Sequence, residues 1–276
     1  LKYKFLMSNL KDNKNNLEIL ISTINKSSLD FINNILKNNI ECLYPILVVN
    51  QSKNELKSNQ NNIRVINLNS IGLSKSRNTA IQNSSSDLCI FCDDDIVYKE
   101  NFYNTIKTAF KENIDADVIT FQIENEHGQL FKDYDNLKYH NKKSIKKVNS
   151  VAIAFKRKSI VSNKIKFDSL FGLGSTFKTG DEYLFLRDCL KKNLKIIFVQ
   201  KVILTHKSVS SGKLAEKDEN IYARAAIFYK IFGKLSYLKL VHHIYLLKKK
   251  NMINFNQIFV KFMVGIKGIK KFKSIR

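Results

Sequence analysis

The sequence predicts an α/β fold on a mostly parallel sheet, followed by a basic helical extension. Short β-branched apolar runs alternate with longer amphipathic segments through roughly the first two hundred residues, which is typical of strands joined by crossover helices. Beyond His206 the composition changes to amphipathic segments rich in Lys, Phe and Ile. Because 44% of the 276 residues are apolar, the chain can bury a substantial core, which excludes a disordered or fibrous protein.

Apolar runs of strand length define the predicted sheet. Each run is rich in Ile, Val, Leu or Phe and is bounded by polar segments. The five predicted strands cover residues 17–23, 44–49, 63–68, 87–92 and 117–123, and two later additions cover residues 195–199 and 202–204.

Amphipathic segments between these runs predict the helices. They cover residues 29–38, 75–83 and 101–113, and a segment from Gly180 to about residue 193. Ser74 is the predicted N-cap of the second helix. Residues 132–149 show no clear period and are left unassigned. The extension is predicted as helices at 222–232, 235–247 and 255–272, with domains at 1–211 and 212–276.

The net charge is the strongest signal in the composition. The chain has 47 Lys and Arg against 24 Asp and Glu, a formal charge of +23, so an anionic partner is expected. Thirteen of the cations and no acidic residue lie in residues 220–276, where apolar and Lys residues alternate at helical spacing. This pattern favours an anionic membrane surface over a plain helical cap, and nucleic acid is disfavoured because no base-reading motif is present.

Other features of the sequence concern its compartment. We find no apolar run of about 18 residues and no signal-peptide core at the N-terminus, so a soluble or peripheral protein is expected. Four Cys residues do not make a disulfide framework, which favours a reducing compartment. Cys89 and Cys92 are interpreted as buried structural thiols.

Three consecutive carboxylates, Asp93, Asp94 and Asp95, stand where the fourth predicted strand ends. Clustered carboxylates repel one another unless a cation neutralises them, and ligands of open α/β sheets bind at the carboxyl ends of strands. The triplet therefore predicts a divalent metal site with oxygen ligands. The alternative is an acidic turn that caps the following helix.

Two further segments carry candidate site residues. Residues 72–78, Gly-Leu-Ser-Lys-Ser-Arg-Asn, join a strand to a helix and offer backbone N–H groups and two cations to an anion; the alternative is a capped helix with a solvated Arg. Asp181 and Glu182 follow Gly180 at a predicted helix start. They are either complements of the helix dipole or the source of a general base.

The order of these motifs, with His206 after them, resembles the inverting family-2 glycosyltransferases of the GT-A fold over residues 17–207. The resemblance implies that the Asp triplet corresponds to the Asp-x-Asp motif, which holds Mn²⁺ or Mg²⁺ against the diphosphate of a nucleotide sugar. Asp95 is then a metal ligand, Asp93 reaches the metal or the ribose, and His206 is a further metal ligand.

The same resemblance implies a nucleotide-sugar pocket and a catalytic base. The pocket residues are Thr23, Asn25, Asn50, Ser74, Arg77, Asp93 and Asp94. Asn50 stands where the family usually has an Asp that contacts the base. Glu182 is the predicted base by position, and Asp181 is the alternative because the acidic pair is reversed relative to the common motif.

The implied activity is transfer of a sugar, with inversion, from a nucleoside-diphosphate sugar to a hydroxyl of a surface polysaccharide or lipid-linked glycan. A UDP-sugar is the favoured donor. The expected location is cytoplasmic and peripheral, on the inner face of the cell membrane through the basic tail. The alternative is a non-catalytic module on the same fold that binds nucleic acid or a membrane surface.

Overall fold

A computed structural model describes residues 16–37, 39, 43–206 and 215–275. The chain divides into two compact units. The first, here called the sheet unit, takes in the residues up to 167 and residues 182–208; the second, the helical unit, takes in residues 168–181 and 209–276. The domain boundary predicted at residue 211 lies outside the described residues.

The strands of the sheet unit form one mixed sheet. They are β1 (Leu17–Ile24), β2 (Ile46–Gln51), β3 (Ile63–Leu68), β4 (Leu88–Asp93), β5 (Ile96–Tyr98), β6 (Val118–Glu124), β7 (Ile153–Lys156) and β8 (Ile196–His206). Among the described residues the strand order is β3-β2-β1-β4-β7-β6-β8-β5. Strands β1 to β4 pair in parallel, as do β6 and β8, whereas β7 and β5 pair antiparallel to their neighbours. The predicted mostly parallel mixed sheet is confirmed.

Alternate residues of the central strands enter two separate cores, one on each face of the sheet. In β1, Ile19 and Ile21 belong to one core and Leu20 to the other. In β4, Ile90 and Phe91 divide in the same way. Because both faces are covered, these strands are continuous apolar runs rather than alternating ones.

Helices of the sheet unit cover the two faces. They are α1 (Phe31–Ile35), α2 (Leu73–Asn83), α3 (Phe102–Glu112), α4 (Arg157–Ser162) and α5 (Asp181–Lys191). The first residue of α5, Asp181, is grouped with the helical unit, and the rest of that helix belongs to the sheet unit. Residues of α1 and α3 line one core, and residues of α2 and α5 line the other.

The predicted N-cap of α2 is wrong. The helix begins at Leu73, its N-cap is Gly72, and Ser74 lies buried in the first turn. Gly72 has a φ of 140°, a conformation that L side chains rarely adopt, so the chain can enter the helix earlier than the serine indicated.

The helical unit has a core of its own. Its helices are α6 (Asp218–Phe232), α7 (Ser236–Lys249) and α8 (Ile258–Ile275). They share a core that includes Ile221, Leu240 and Ile269. A Cβ on Gly268 would overlap the carbonyl oxygen of Tyr222, so the glycine permits close approach of α8 to α6. No helix within residues 16–206 and 215–275, as far as these are described, is long and apolar enough to cross a membrane.

Candidate active site at the strand ends

The three aspartates lie at the carboxyl edge of the sheet. Strand β4 ends at Asp93, which is in register with Ser22 near the end of the parallel strand β1. The next two aspartates form the turn into β5. Ligand sites of open α/β sheets lie at this edge, so the predicted placement of the triplet at a strand end is correct.

Asp93 is the counter-ion of a buried arginine. Nη2 of Arg77, a residue that is 1% exposed, donates to the two carboxylate oxygens of Asp93 at 2.9 and 3.3 Å and to Oγ of Ser150 at 2.7 Å. The rings of Phe91 and Phe167 lie 6.0 and 5.5 Å from the guanidinium carbon. A guanidinium in such surroundings requires a compensating anion, and Asp93 supplies it.

Asp94 is held by the turn that follows β1. Oγ1 of Thr23 donates to its carboxylate at 2.5 Å, and Nζ of Lys26 lies 3.0 Å from the same oxygen. Asn25, between them, has a left-handed φ of 53°. Thr23 and Asp94 are thus joined directly, Asn25 lies in the same turn, and Lys26 adds a cation that was not predicted. The contacts of Thr23, Asn25 and Asp94 with a nucleotide sugar stay predictions.

Asn50 fixes this turn. It is fully buried, its Oδ1 accepts from the backbone N–H of Lys26 at 3.1 Å, and its Nδ2 donates to the carbonyl of Lys26 at 3.0 Å. The neighbouring Gln51 accepts from the backbone N–H of Gly72 at 2.6 Å. The structure thus gives Asn50 and Gln51 positioning contacts, and a contact of Asn50 with the nucleotide stays a prediction.

Asp95 and His206 face each other across a strand pair. Strand β5 pairs antiparallel with β8, with Ile96 opposite His206, so that Oδ1 of Asp95 lies 3.8 Å from Nε2 of the histidine. The Asp95 side chain is 58% exposed, and the ring of Phe131 lies 5.5 Å from the imidazole.

This oxygen and nitrogen pair fits a divalent cation. Two ligands each about 2.1 Å from one ion lie roughly 3 to 4 Å apart, which includes the 3.8 Å observed between Asp95 and His206. In the part of the chain that the structure describes, no three His, Cys, Asp or Glu side chains form a metal cage. A cation held by one or two protein ligands completes its coordination with water and substrate phosphates. A direct bond from Asp93 to the metal stays a prediction.

The predicted acidic pair stands at the start of α5. Gly180 precedes it with a φ of 89°, and a Cβ there would overlap the side chain of Ile227. Asp181 is buried, whereas Glu182 is half-buried. A general base must reach the acceptor hydroxyl, so the half-buried residue is the better candidate.

A lysine from the unassigned segment interacts with Glu182. Nζ of Lys132 donates to the carbonyl of Lys147 and to Oδ1 of Asn149, each at 2.5 Å. Burial lowers the pKa of Lys132 to about 8; the negative charge of Glu182 opposes this shift, and the positive charge of Lys147 adds to it. Lys132 therefore places an ammonium group in the electrostatic environment of the candidate base.

Three residues that interact with the site were not predicted from the sequence, namely Lys26, Lys132 and Ser150. Lys26 directly follows the predicted pocket residue Asn25, so its position past a strand end was a usable signal. Lys132 and Ser150 lie in or beside a segment without periodicity, and only tertiary contacts reveal them. Ser74 is buried in the first turn of α2, and its predicted contact with a nucleotide stays a prediction.

Comparison with known proteins identifies the family. The family model described as Glycosyl transferase family 2 matches residues 15–192. The chain belongs to glycosyl transferase family 2. No curated protein sequence matches this family 2 glycosyltransferase.

Solved structures of S. aureus TarS have the same fold. TarS 1-349 superposes with a TM-score of 0.59 at 14% identity, covering 94% of this chain and 82% of TarS 1-349. The complex of TarS 1-349 with UDP-GlcNAc gives a TM-score of 0.59 at 14% identity, covering 93% and 80%. The complex of TarS 1-349 with UDP superposes with a TM-score of 0.56 at 14% identity, covering 91% of this chain and 81% of TarS 1-349. The predicted GT-A fold with C-terminal helices is confirmed.

Proposed function

We propose that this glycosyltransferase transfers a sugar from a UDP-sugar to a hydroxyl group of a surface polysaccharide or lipid-linked glycan, with inversion and with a divalent metal. The observation that carries the proposal is the arrangement at the carboxyl edge of the sheet. There Asp95 stands 3.8 Å from His206, and Asp93 and Asp94 are fixed by Arg77, Thr23 and Lys26. The similar TarS 1-349 has been solved with UDP and with UDP-GlcNAc, which supports a UDP-sugar donor.

Asp95 and His206 are the residues that would hold Mn²⁺ or Mg²⁺. Such a cation, when bound, neutralises the charge that develops on the leaving diphosphate. Asp93 and Asp94 are held by salt bridges and hydrogen bonds before substrate arrives, so this edge needs little reordering on binding. The fixed Asp94 keeps Thr23 and Lys26 beside the pocket that the resemblance assigns to the nucleotide.

Glu182 acts as the general base. Its carboxylate takes the proton of the acceptor hydroxyl, the acceptor oxygen bonds to the anomeric carbon, and the bond from that carbon to the diphosphate oxygen breaks. UDP leaves with the bonding electron pair. A single displacement of this kind inverts the anomeric centre. The nearby ammonium of Lys132 favours the ionised form of Glu182, the form that accepts a proton.

Slow hydrolysis of the donor tests the reaction without knowledge of the acceptor. The protein is incubated with UDP-GlcNAc and Mn²⁺, and early proton NMR spectra report the anomer released. We expect the β-anomer first, because water takes the place of the acceptor in a single displacement on an α-linked donor. First release of the α-anomer would contradict the inverting mechanism.

Variants of the acidic pair test the base. Glu182→Gln should lower turnover by about 10² to 10⁴-fold while UDP binding is retained. Asp181→Asn is the matched control and should keep most of the turnover. Circular dichroism checks that both variants are folded. If Asp181→Asn loses turnover while Glu182→Gln keeps it, Glu182 is not the base.

A further inference from the structure

The helical unit leaves one side of α7 apolar and exposed. Leu238, Val241 and Tyr245 recur at spacings of three and four residues, and Leu235 directly precedes the helix. These four residues, here called the apolar face, are between 53% and 69% exposed. A different side of the helix buries residues such as Leu240 in the shared core. The apolar face therefore lies outside the core of the helical unit.

A second exposed set surrounds the start of α8. Phe255, Phe259, Val260 and Met263 are exposed, and Phe255 reaches 76%. Isolated exposed apolar residues are ordinary in folded proteins, but two such sets in one helical unit are not. The side chains that the sequence pattern assigned to lipid are thus divided by the structure into a buried core and an exposed remainder.

The positive charge of the helical unit indicates which kind of surface its exposed apolar residues would contact. Residues 220–276 contain thirteen Lys and Arg and no acidic residue. Many of these lysines are exposed, namely Lys234, Lys239, Lys249, Lys250, Lys267, Lys270, Lys271 and Lys273. Lys239 directly follows Leu238 of the apolar face in the chain, and its Nζ lies 5.4 Å from the ring centre of Phe232, a further exposed aromatic residue of the same unit. A second copy of the chain would bring the same positive charge to the interface and be repelled.

An anionic bilayer can bind both the exposed apolar side chains and the exposed lysines. Its acyl boundary accepts leucine, valine and aromatic side chains to a depth of roughly 5 to 10 Å, and its lipid phosphates attract lysines within a Debye length. Lysine stems can lie along the apolar surface while their ammonium groups remain at the headgroups.

We propose that the apolar face of α7, together with the exposed residues at the start of α8, docks the protein on the surface of an anionic phospholipid bilayer. The docking extends the proposed function, since it would hold the enzyme where a lipid-linked acceptor is present. The binding itself does not depend on the sugar transfer.

Vesicle flotation tests the docking. The full chain is mixed with phosphatidylcholine vesicles that contain either no anionic lipid or about one-third phosphatidylglycerol. We expect binding to the anionic vesicles only, weakened by salt. The double variant Leu238→Ser with Tyr245→Ser should bind about tenfold more weakly. Ile114→Ser, which changes an exposed apolar residue of the sheet unit, is the matched control and should bind as the wild type.

A fluorescent probe tests whether the apolar face enters the lipid. The chain contains no Trp, so a Tyr245→Trp variant carries a single reporter. Its emission should shift to shorter wavelength with anionic vesicles and stay unchanged with neutral ones.

Defined outcomes overturn the proposal. They are unchanged binding of the double variant, absence of binding to anionic vesicles, or a dimer in light scattering that the double variant dissociates. UDP titration of the same samples separates the two proposals. Intact UDP binding without vesicle binding refutes only the docking, and vesicle binding without UDP binding refutes only the sugar transfer.

Discussion

Alanine at position 93 should destabilise the protein far more than alanine at position 95, although both residues belong to one triplet. Asp93 neutralises Arg77, which is 1% exposed, whereas the Asp95 side chain is 58% exposed. Removing one partner of a buried ion pair typically costs about 3–5 kcal/mol of the free energy of unfolding. The Asp93 side chain is itself 28% exposed and Ser150 still accepts from Arg77, so we expect about 3 kcal/mol, at the lower end.

Asp95→Ala should change the free energy of unfolding by no more than about 0.5 kcal/mol, as exposed sites usually do. Urea unfolding followed by circular dichroism measures both variants. With a slope of about 3 kcal/mol per molar urea, Asp93→Ala lowers the midpoint by about 1 M. Asp93→Asn keeps a hydrogen-bond acceptor but not the charge, so its urea midpoint should lie between those of Asp93→Ala and the wild type. Equal midpoints for Asp93→Ala and Asp95→Ala would refute the structural role of the ion pair.

Three further predictions concern charge and backbone. Lys132→Met removes a positive charge that interacts with Glu182, so it should move the acid limb of the kcat/KM profile to higher pH, while Lys132→Arg keeps the limb near its wild-type position; an unmoved limb in Lys132→Met contradicts the electrostatic role. Burial lowers the pKa of His140 to about 4 from its ordinary 6.5, so the unfolded chain takes up that proton first as the pH falls. The free energy of unfolding should therefore decline between about pH 6.5 and 4, and His140→Gln should flatten that decline in pH-dependent urea melts; an equally steep decline in the variant would count against this assignment. Gly180→Ala should destabilise more than Gly128→Ala, because both glycines have positive φ but only a Cβ at position 180 would displace the end of the buried Ile227 side chain; equal thermal shifts for the two variants would show that this displacement costs nothing.

The order of strands and helices follows from periodicity where elements are long. The strand at residues 63–68 was predicted with its observed bounds, and β1, β2, β4 and β6 were placed within one or two residues. The two runs predicted at residues 195–199 and 202–204 were wrong as separate strands, because they form the single strand β8. Strands β5 and β7, with three and four residues, were missed. Such short segments are strands only because distant neighbours pair with them, and a single sequence does not contain that pairing.

The site was predicted in its residue types but not in its contacts. Three carboxylates at a strand end indicate a ligand edge by themselves. That Asp93 is engaged by Arg77, and Asp94 by Lys26, depends on distances between segments far apart in the sequence. Lys132 lies in a segment without period, so no local signal marked it as a neighbour of Glu182.

Calorimetric titration of UDP, with and without Mn²⁺, measures donor binding at the strand edge that carries Asp93, Asp94 and Asp95. We expect binding to the wild type that requires the metal and that is lost in Asp95→Ala, while that variant keeps its urea midpoint. GDP serves as the comparison nucleotide and should bind more weakly. Absence of UDP binding with Mn²⁺, or metal-dependent binding that Asp95→Ala leaves unchanged, would contradict the assignment of this strand edge as the donor site.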